Sequence, residues 1–232
     1  MADRKSTPST GDALMRAIEA DKRDMLASLH AERQRRAQAA QQAALERVGI
    51  QARYQRSGFD AYVCDSPAQE RVHAICRSYA AGFAHARASG ANLLLRGEPG
   101  TGKTHLACAL LMDVLGQGHS GLYTTLSDAL RYVRSAYDRS DLTESQALRR
   151  FTAPDLLVLD EAQSTIGKAE TRQSLLFDML DARYAGLRPT VLVTNSRFAE
   201  LREFLGPRLF DRLTEQGSVL LECDWASWRQ RA

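Results

Sequence analysis

Five short runs of the chain are almost continuous in apolar residues, and the stretches between them repeat apolar positions every three or four residues. Residues 92–96, 122–125, 155–160, 190–194 and 218–222 read as strands. Runs such as Leu156-Leu157-Val158-Leu159 show no polar alternation, which predicts strands covered on both faces. Helices are predicted over residues 67–88, 103–115, 142–151, 170–187 and 208–216, with a further one capped by Ser127 and running to Tyr137. In the first of these, Val72, Ile75, Cys76, Tyr79 and Phe83 share a face, and Pro67 suits an opening turn where its missing N–H is not needed. Strands alternating with helices of this length predict an α/β fold with a five-stranded parallel sheet flanked by helices.

Ahead of that core, residues 1–10 read as a disordered start, and residues 11–48 contain no proline and are rich in Ala, Arg, Gln and Glu. Leu14, Ile18, Met25 and Leu29 draw one narrow apolar stripe on a helix, suited either to packing on the chain's own core or to docking on a partner. Residues 49–66 carry the breakers Gly58 and Ser66-Pro67 and read as irregular. The expected organisation is an N-terminal helical, partner-binding segment over residues 1–50 and an α/β domain over residues 51–232.

Charge and cysteine content change this picture little. Residues 1–58 hold eleven Lys or Arg against seven Asp or Glu, a balance of +4, so the net +3 of the whole leaves −1 for the remainder. That is too weak an excess to argue for nucleic acid by itself. Cys64, Cys76, Cys108 and Cys223 have no metal-ligand spacing, and Cys108 falls in an apolar helical pattern as a small core residue. Reduced thiols, no signal-like apolar start and no run near the ~20 apolar residues of a membrane span predict a soluble, cytoplasmic protein with no membrane partner.

The chemistry is concentrated after the first predicted strand. Gly97-Glu98-Pro99-Gly100-Thr101-Gly102-Lys103-Thr104, followed by His105, satisfies the Walker A pattern in full and lies between an apolar strand and a helix. Glycines let the backbone curl so that its N–H groups face phosphate oxygens, and the helix beginning near Lys103 adds its positive dipole end. Lys103 is expected on the β- and γ-phosphates and the Thr104 hydroxyl on Mg²⁺. Asp160 ends an apolar strand and is expected to hold the same Mg²⁺; Glu161 follows it, placed to polarise an attacking water. The motif predicts a P-loop ATPase using ATP and Mg²⁺, and Glu161 favours hydrolysis over binding alone. Asn195, just past another strand, either reaches the γ-phosphate or caps a turn. Arg208 and Arg212 share a helix face, which serves either a neighbouring subunit's nucleotide or surface ion pairs with Asp211 or Glu215. Arg229 is open in the same way.

These residues carry a resemblance. Residues 45–232 are similar to the replicative helicase loaders of the DnaC type, AAA+ ATPases related to IstB. The most specific stretches are Leu192-Val193-Thr194-Asn195-Ser196, then Leu205-Gly206-Pro207-Arg208-Leu209-Phe210-Asp211-Arg212-Leu213, and the ending Asp224-Trp225-Ala226-Ser227-Trp228-Arg229. Residues 53–62 also resemble the segment preceding the loaders' ATPase core. The resemblance implies an AAA+ core without a C-terminal lid; only twenty residues follow Arg212. It also implies that Asn195 is a sensor 1 residue, that Arg208 and Arg212 include a trans-acting arginine finger with Arg212 the first choice, and that Arg229 is a sensor 2-like arginine. Arg131, Arg134 and Tyr137 fall where the loaders line a single-stranded DNA channel, and an aromatic among arginines suits base stacking. The N-terminal 45 residues do not match clearly.

The function implied is ATP-dependent loading of a hexameric, DnaB-like helicase onto single-stranded DNA at replication initiation, with self-assembly into a spiral or hexamer. An IstB-type transposition helper, acting with a transposase on duplex DNA, is the alternative. A metabolic P-loop kinase fits less well, because Glu161 and the Arg208/Arg212 helix serve no small-molecule acceptor.

Overall fold

A computed structural model describes residues 22, 25, 30, 32–33, 35–36, 39, 42–136, 140–162, 169–215 and 217–230, with the backbone alone at 169–172 and 230. The chain divides into two units, Met1–Ala44 and Leu45–Ala232. In the first, the described residues are helical, and Met25 is 62% exposed. Leu14, Ile18 and Leu29 of the expected stripe lie outside the described residues.

The second unit is built on a parallel sheet of five strands among the described residues: β1 (Leu93–Gly97), β2 (Gly121–Thr125), β3 (Leu156–Asp160), β4 (Thr190–Thr194) and β5 (Val219–Cys223). Their order is β2-β3-β4-β1-β5. Beyond residue 62, the α-helices among the described residues are α1 (Pro67–Ala81), α2 (Phe83–Ser89), α3 (Lys103–Gly116), α4 (Leu126–Ser135), α5 (Glu144–Thr152), α6 (Ala169–Ala185), α7 (Phe198–Leu205) and α8 (Pro207–Leu213). Successive strand residues point to opposite faces. Leu93, Leu95, Val158, Val191 and Val193 therefore pack with Cys76 of α1 and Leu106 and Leu110 of α3, while Leu94, Leu157, Leu159 and Leu192 pack with helices α4 to α8 on the other side. Each fully buried leucine contributes about 1.5–3 kcal/mol against the entropy of ordering the chain. The outer edge of β2 is covered by the start of the unit, where the Tyr123 N–H donates to the Val48 carbonyl at 2.7 Å and Ile50 is buried.

Several sequence expectations change at this level. The helix expected over residues 67–88 is two helices, α1 and α2, interrupted at Gly82, whose N–H closes back on Ser78. Ile75 is half-exposed rather than in the core, while Val72, Cys76 and Phe83 are buried. The cap of α4 is Thr125, whose hydroxyl accepts the Asp128 N–H; Ser127, expected as the cap, is buried in the first turn. α7 was not anticipated, and α6 stops at Ala185, where Leu187 takes a left-handed conformation at φ 49°. The helix expected over 208–216 begins at Pro207 and ends at Leu213.

Arg183, on the last turn of α6, is 1% exposed. Its guanidinium donates to the carbonyls of Phe151, Pro154, Asp155 and Pro189 and to the Thr190 hydroxyl, so it ties together the two loops that lead into β3 and β4.

Candidate nucleotide site

Register brings the site together. Gly97 ends β1, Asp160 ends β3 and Thr194 ends β4, all at the carboxyl edge of the sheet; β1 and β4 are directly paired, with Arg96 opposite Thr194. A cavity of about 420 Å³ opens there, lined by Gly100 to His105, Asp160, Glu161, Thr194, Asn195 and Arg229. Ligands of open parallel sheets collect at this edge.

The loop between β1 and α3 takes the shape its glycines permit. Gly100 and Gly102 are left-handed at φ +86° and +88°, and a Cβ added to Gly100 would lie 1.9 Å from the Ser227 hydroxyl. Lys103 opens α3 and is 5% exposed. Its ammonium donates to the carbonyls of Gly97 and Glu98 at 2.7 and 2.8 Å. Burial lowers its pKa, partly offset by the nearby carboxylates of Asp160 and Glu98; Arg229 adds to the lowering.

Thr104 and Asp160 meet directly, the threonine hydroxyl donating to Asp160 Oδ2 at 2.8 Å. Tyr123, from β2, donates its hydroxyl to the same oxygen at 2.8 Å, and the Glu161 N–H donates to Oδ1 at 2.7 Å. Burial, with the Asp160 charge beside it, raises the Tyr123 phenol well above its ordinary value, so it remains a donor. The oxygen donors of Thr104 and Asp160 suit a hard divalent cation. No group of three His, Cys, Asp or Glu able to cage a metal exists among the described residues. That donor set fits Mg²⁺, which typically takes one or two protein ligands and completes its shell with phosphates and water. Glu161 is exposed, faces the cavity and has φ 52°, a left-handed backbone that costs a non-glycine residue about 1–2 kcal/mol. Strain of this kind clusters at functional positions.

Other expected residues sit as follows. Asn195 is exposed on the cavity wall. His105 lines the cavity, with its ring nitrogen 3.0 Å from the Gly58 carbonyl and its ring edge-on to Tyr62. Arg208 and Arg212 do not line the cavity. Arg208 is exposed over the Phe177 ring, and Arg212 forms an ion pair with Asp181 and stacks on Tyr184. The carboxylates considered from sequence are engaged elsewhere, Asp211 by Arg202 at 3.7 Å and Glu215 by the Tyr184 hydroxyl. Arg131 is exposed beside Asp128, and Arg134 is half-buried on the same helix; Tyr137 lies outside the described residues. Sequence reasoning missed Arg53, Tyr54, Tyr62, Trp225 and Trp228 as cavity residues. The only signal was that several fell in stretches resembling the loaders. Burial pushes the Cys76, Cys108 and Cys223 thiols up to about 12, leaving them protonated.

Residues 18–232 match the family described as IstB-like ATP binding protein. The chain is 32% identical over 201 residues to the replicative helicase loader DnaC of Escherichia coli strain K12, covering 86% of this chain and 80% of the relative. It is 29% identical over 188 residues to the DnaC loader of Buchnera aphidicola subsp. Baizongia pistaciae, covering 81% and 75%. A crystal structure of the DnaC helicase loader superposes with a TM-score of 0.66 at 24% identity, covering 74% of this chain and 99% of that one. AMPPCP-bound DnaA from Aquifex aeolicus shares the fold at a TM-score of 0.61 and 20% identity, covering 75% and 51%. No helix among the described residues is long and apolar enough to cross a membrane. With its P-loop, its Asp160–Thr104 contact and its β2-β3-β4-β1-β5 sheet, the chain belongs to the IstB-like ATP-binding family, as an AAA+ relative of the DnaC helicase loaders.

Proposed function

We propose that this protein is a cytoplasmic ATPase that loads a hexameric, DnaB-like replicative helicase onto single-stranded DNA. The observation that carries the ATPase reading is the closed contact of Thr104 with Asp160 at 2.8 Å, beside a buried Lys103. Loading is supported by the relation to DnaC at 32% identity over most of both chains.

Phosphates entering the loop take over the Lys103 ammonium from the Gly97 and Glu98 carbonyls, exchanging neutral acceptors for anionic ones, which bond it more strongly. Mg²⁺, when bound, supplies charge neutralisation of the phosphoryl oxygens. Thr104 and Asp160 are the residues that hold it, with Tyr123 and the Glu161 N–H fixing the Asp160 carboxylate. Glu161 orients and deprotonates the attacking water, and Asn195 bonds the γ-phosphate or that water. Arg229 acts at the same cavity as a sensor 2-like cation.

Subunits assemble in a spiral or ring in which Arg212, or Arg208, serves the neighbouring subunit's nucleotide. Residues 1–50 bind the helicase, and Arg131, Arg134 and Tyr137 track DNA inside the assembly. The two nucleotide states differ in affinity for helicase and DNA, and that difference drives loading and release.

The test is complex formation by size-exclusion chromatography and light scattering, mixing the full chain with the replicative helicase of its own organism in the presence of ATP. An ATP-dependent complex whose ATPase is stimulated by single-stranded DNA is expected. A chain that ignores the helicase and instead binds duplex DNA with a transposase is an IstB-type helper, the alternative reading within the same IstB-like family.

A further inference from the structure

The carbonyls of the P-loop fall into two sets. Those of Gly97 and Glu98 turn toward the Lys103 ammonium. Those of Gly100 and Thr101 are taken up by other donors. Gly100 accepts the Trp228 backbone N–H at 2.9 Å. Thr101 accepts two side-chain donors at once, the Trp225 indole N–H at 3.0 Å and the Tyr62 hydroxyl at 3.2 Å.

The two donors come from opposite ends of the domain. Tyr62 follows the 3-10 turn Phe59–Ala61, and Trp225 follows β5. The turn carrying Tyr62 is itself pinned, with a ring nitrogen of His73 3.0 Å from the Phe59 carbonyl and one of His105 3.0 Å from the Gly58 carbonyl. The Tyr62 ring stacks on His73 and meets His105 edge-on. Burial raises the Tyr62 phenol well above its ordinary value, so the hydroxyl keeps its proton.

A trans peptide holds its N–H antiparallel to its C=O, and none of the described peptide bonds is cis. A Gly100 carbonyl held by Trp228 therefore points the Thr101 N–H the opposite way, and a Thr101 carbonyl held by Trp225 and Tyr62 does the same for the Gly102 N–H. Unrestrained glycine-flanked peptides rotate readily, so amides kept in one direction need an external hold. We infer that Tyr62 and Trp225 are positioning residues for phosphate binding, which act through their shared acceptor, the Thr101 carbonyl, to keep the P-loop amides aimed at the phosphates. The inference rests on the proposed reading of this loop as the phosphate site.

The consequence differs from a role in gripping the base. Preorganised amides favour any ligand with two linked phosphates, with or without a nucleoside. The experiment is isothermal titration of the full chain with Mg·ADP and with Mg·pyrophosphate, in wild type, Tyr62→Phe, Trp225→Phe and the double variant, each checked by circular dichroism melting. Each single variant is expected to weaken both ligands alike, by about fivefold, the worth of one hydrogen bond. The double variant is expected to weaken both by more than the product of the two, because either donor alone still holds the carbonyl. A loss for ADP with unchanged pyrophosphate affinity overturns the inference and makes the pair base contacts. Unchanged affinity for both ligands in melting-competent variants also overturns it. Should Trp225→Phe fail to fold, Tyr62→Phe decides alone. A wild type that binds neither ligand refutes the phosphate-site reading instead, a separate failure.

Discussion

Asp160 receives three hydrogen bonds, from Thr104, Tyr123 and the Glu161 N–H, and so stands in one orientation before any cation arrives. Lys103 is held as firmly, by two carbonyls. Their neighbour Glu161 is the exposed one, on a left-handed backbone at the cavity wall. Binding and turnover should therefore separate cleanly by mutation. Lys103→Ala is expected to lower ATP affinity at least about a hundredfold, consistent with losing a buried charge-assisted contact. Glu161→Gln is expected to bind ATP within a fewfold of wild type while turnover drops about a hundredfold or more. Titration of a fluorescent ATP analogue and a phosphate-release assay measure the two. Retained affinity in Lys103→Ala refutes the site. At this scale the sequence was informative where chemistry is local: the Walker A octet, Asp160 and Glu161 are contiguous with the strands that aim them. Tyr62, Tyr123 and Trp225 were not legible as site residues, because what they contact is 39, 37 and 124 positions away along the chain.

Among the elements, apolar runs located every strand to within a residue or so, since burial on both faces leaves a signature that needs no partner to be read. Helix ends were harder. The interruption at Gly82 and the short α7 depend on local bonds, such as the Arg197 N–H to Glu200 at 2.9 Å, that apolar periodicity does not record. The amino edge of the sheet rests on two polar anchors. Arg183 satisfies four carbonyls and a hydroxyl from within the core. Arg183→Met should cost at least about 3 kcal/mol, because each buried carbonyl left without a donor is penalised by about 1–3 kcal/mol. Urea midpoints measure it, and a loss below 1 kcal/mol would contradict the anchoring role. Asp155 links the same edge. Burial acts to raise its pKa, but the Ser120 hydroxyl and N–H and the Arg87 guanidinium outweigh it and hold the carboxyl down at about 2, against an ordinary 3.8. A depressed acid binds its proton first in the unfolded chain, so its contribution is complete above the ordinary value and is lost as pH falls toward 2. Asp155→Asn should flatten the acid limb of stability between those pH values, read from urea unfolding at stepped pH.

The whole molecule adds what no single element holds. Sheet order sets β1 between β4 and β5, with β3 one strand further out, so the P-loop, Asp160 and Asn195 converge on one cavity. Arg208 and Arg212 stand apart from it, against Phe177 and against Asp181 and Tyr184 of α6. Under the proposed assembly, Arg212 serves the neighbouring subunit's nucleotide. Arg212→Ala and Lys103→Ala should each be nearly inactive alone. Mixed in equal amounts, they should recover measurable ATPase, because the Lys103→Ala subunit still offers Arg212 to its neighbour's intact P-loop. Absence of recovery, in a mixture shown by light scattering to co-assemble, would assign Arg212 to its own subunit's structure through Asp181.

The amino-acid sequence alone determined the α/β alternation, the phosphate loop and the carboxylates at the end of β3, because period, burial and a contiguous glycine motif are properties of neighbours along the chain. Tertiary structure alone decided which distant groups converge: the two aromatics on the Thr101 carbonyl, the tyrosine on Asp160, the core guanidinium and the separation of Arg212 from the cavity. Those depend on strand order and loop path, and a hydrogen bond between residues a hundred positions apart leaves no local pattern by which to be read.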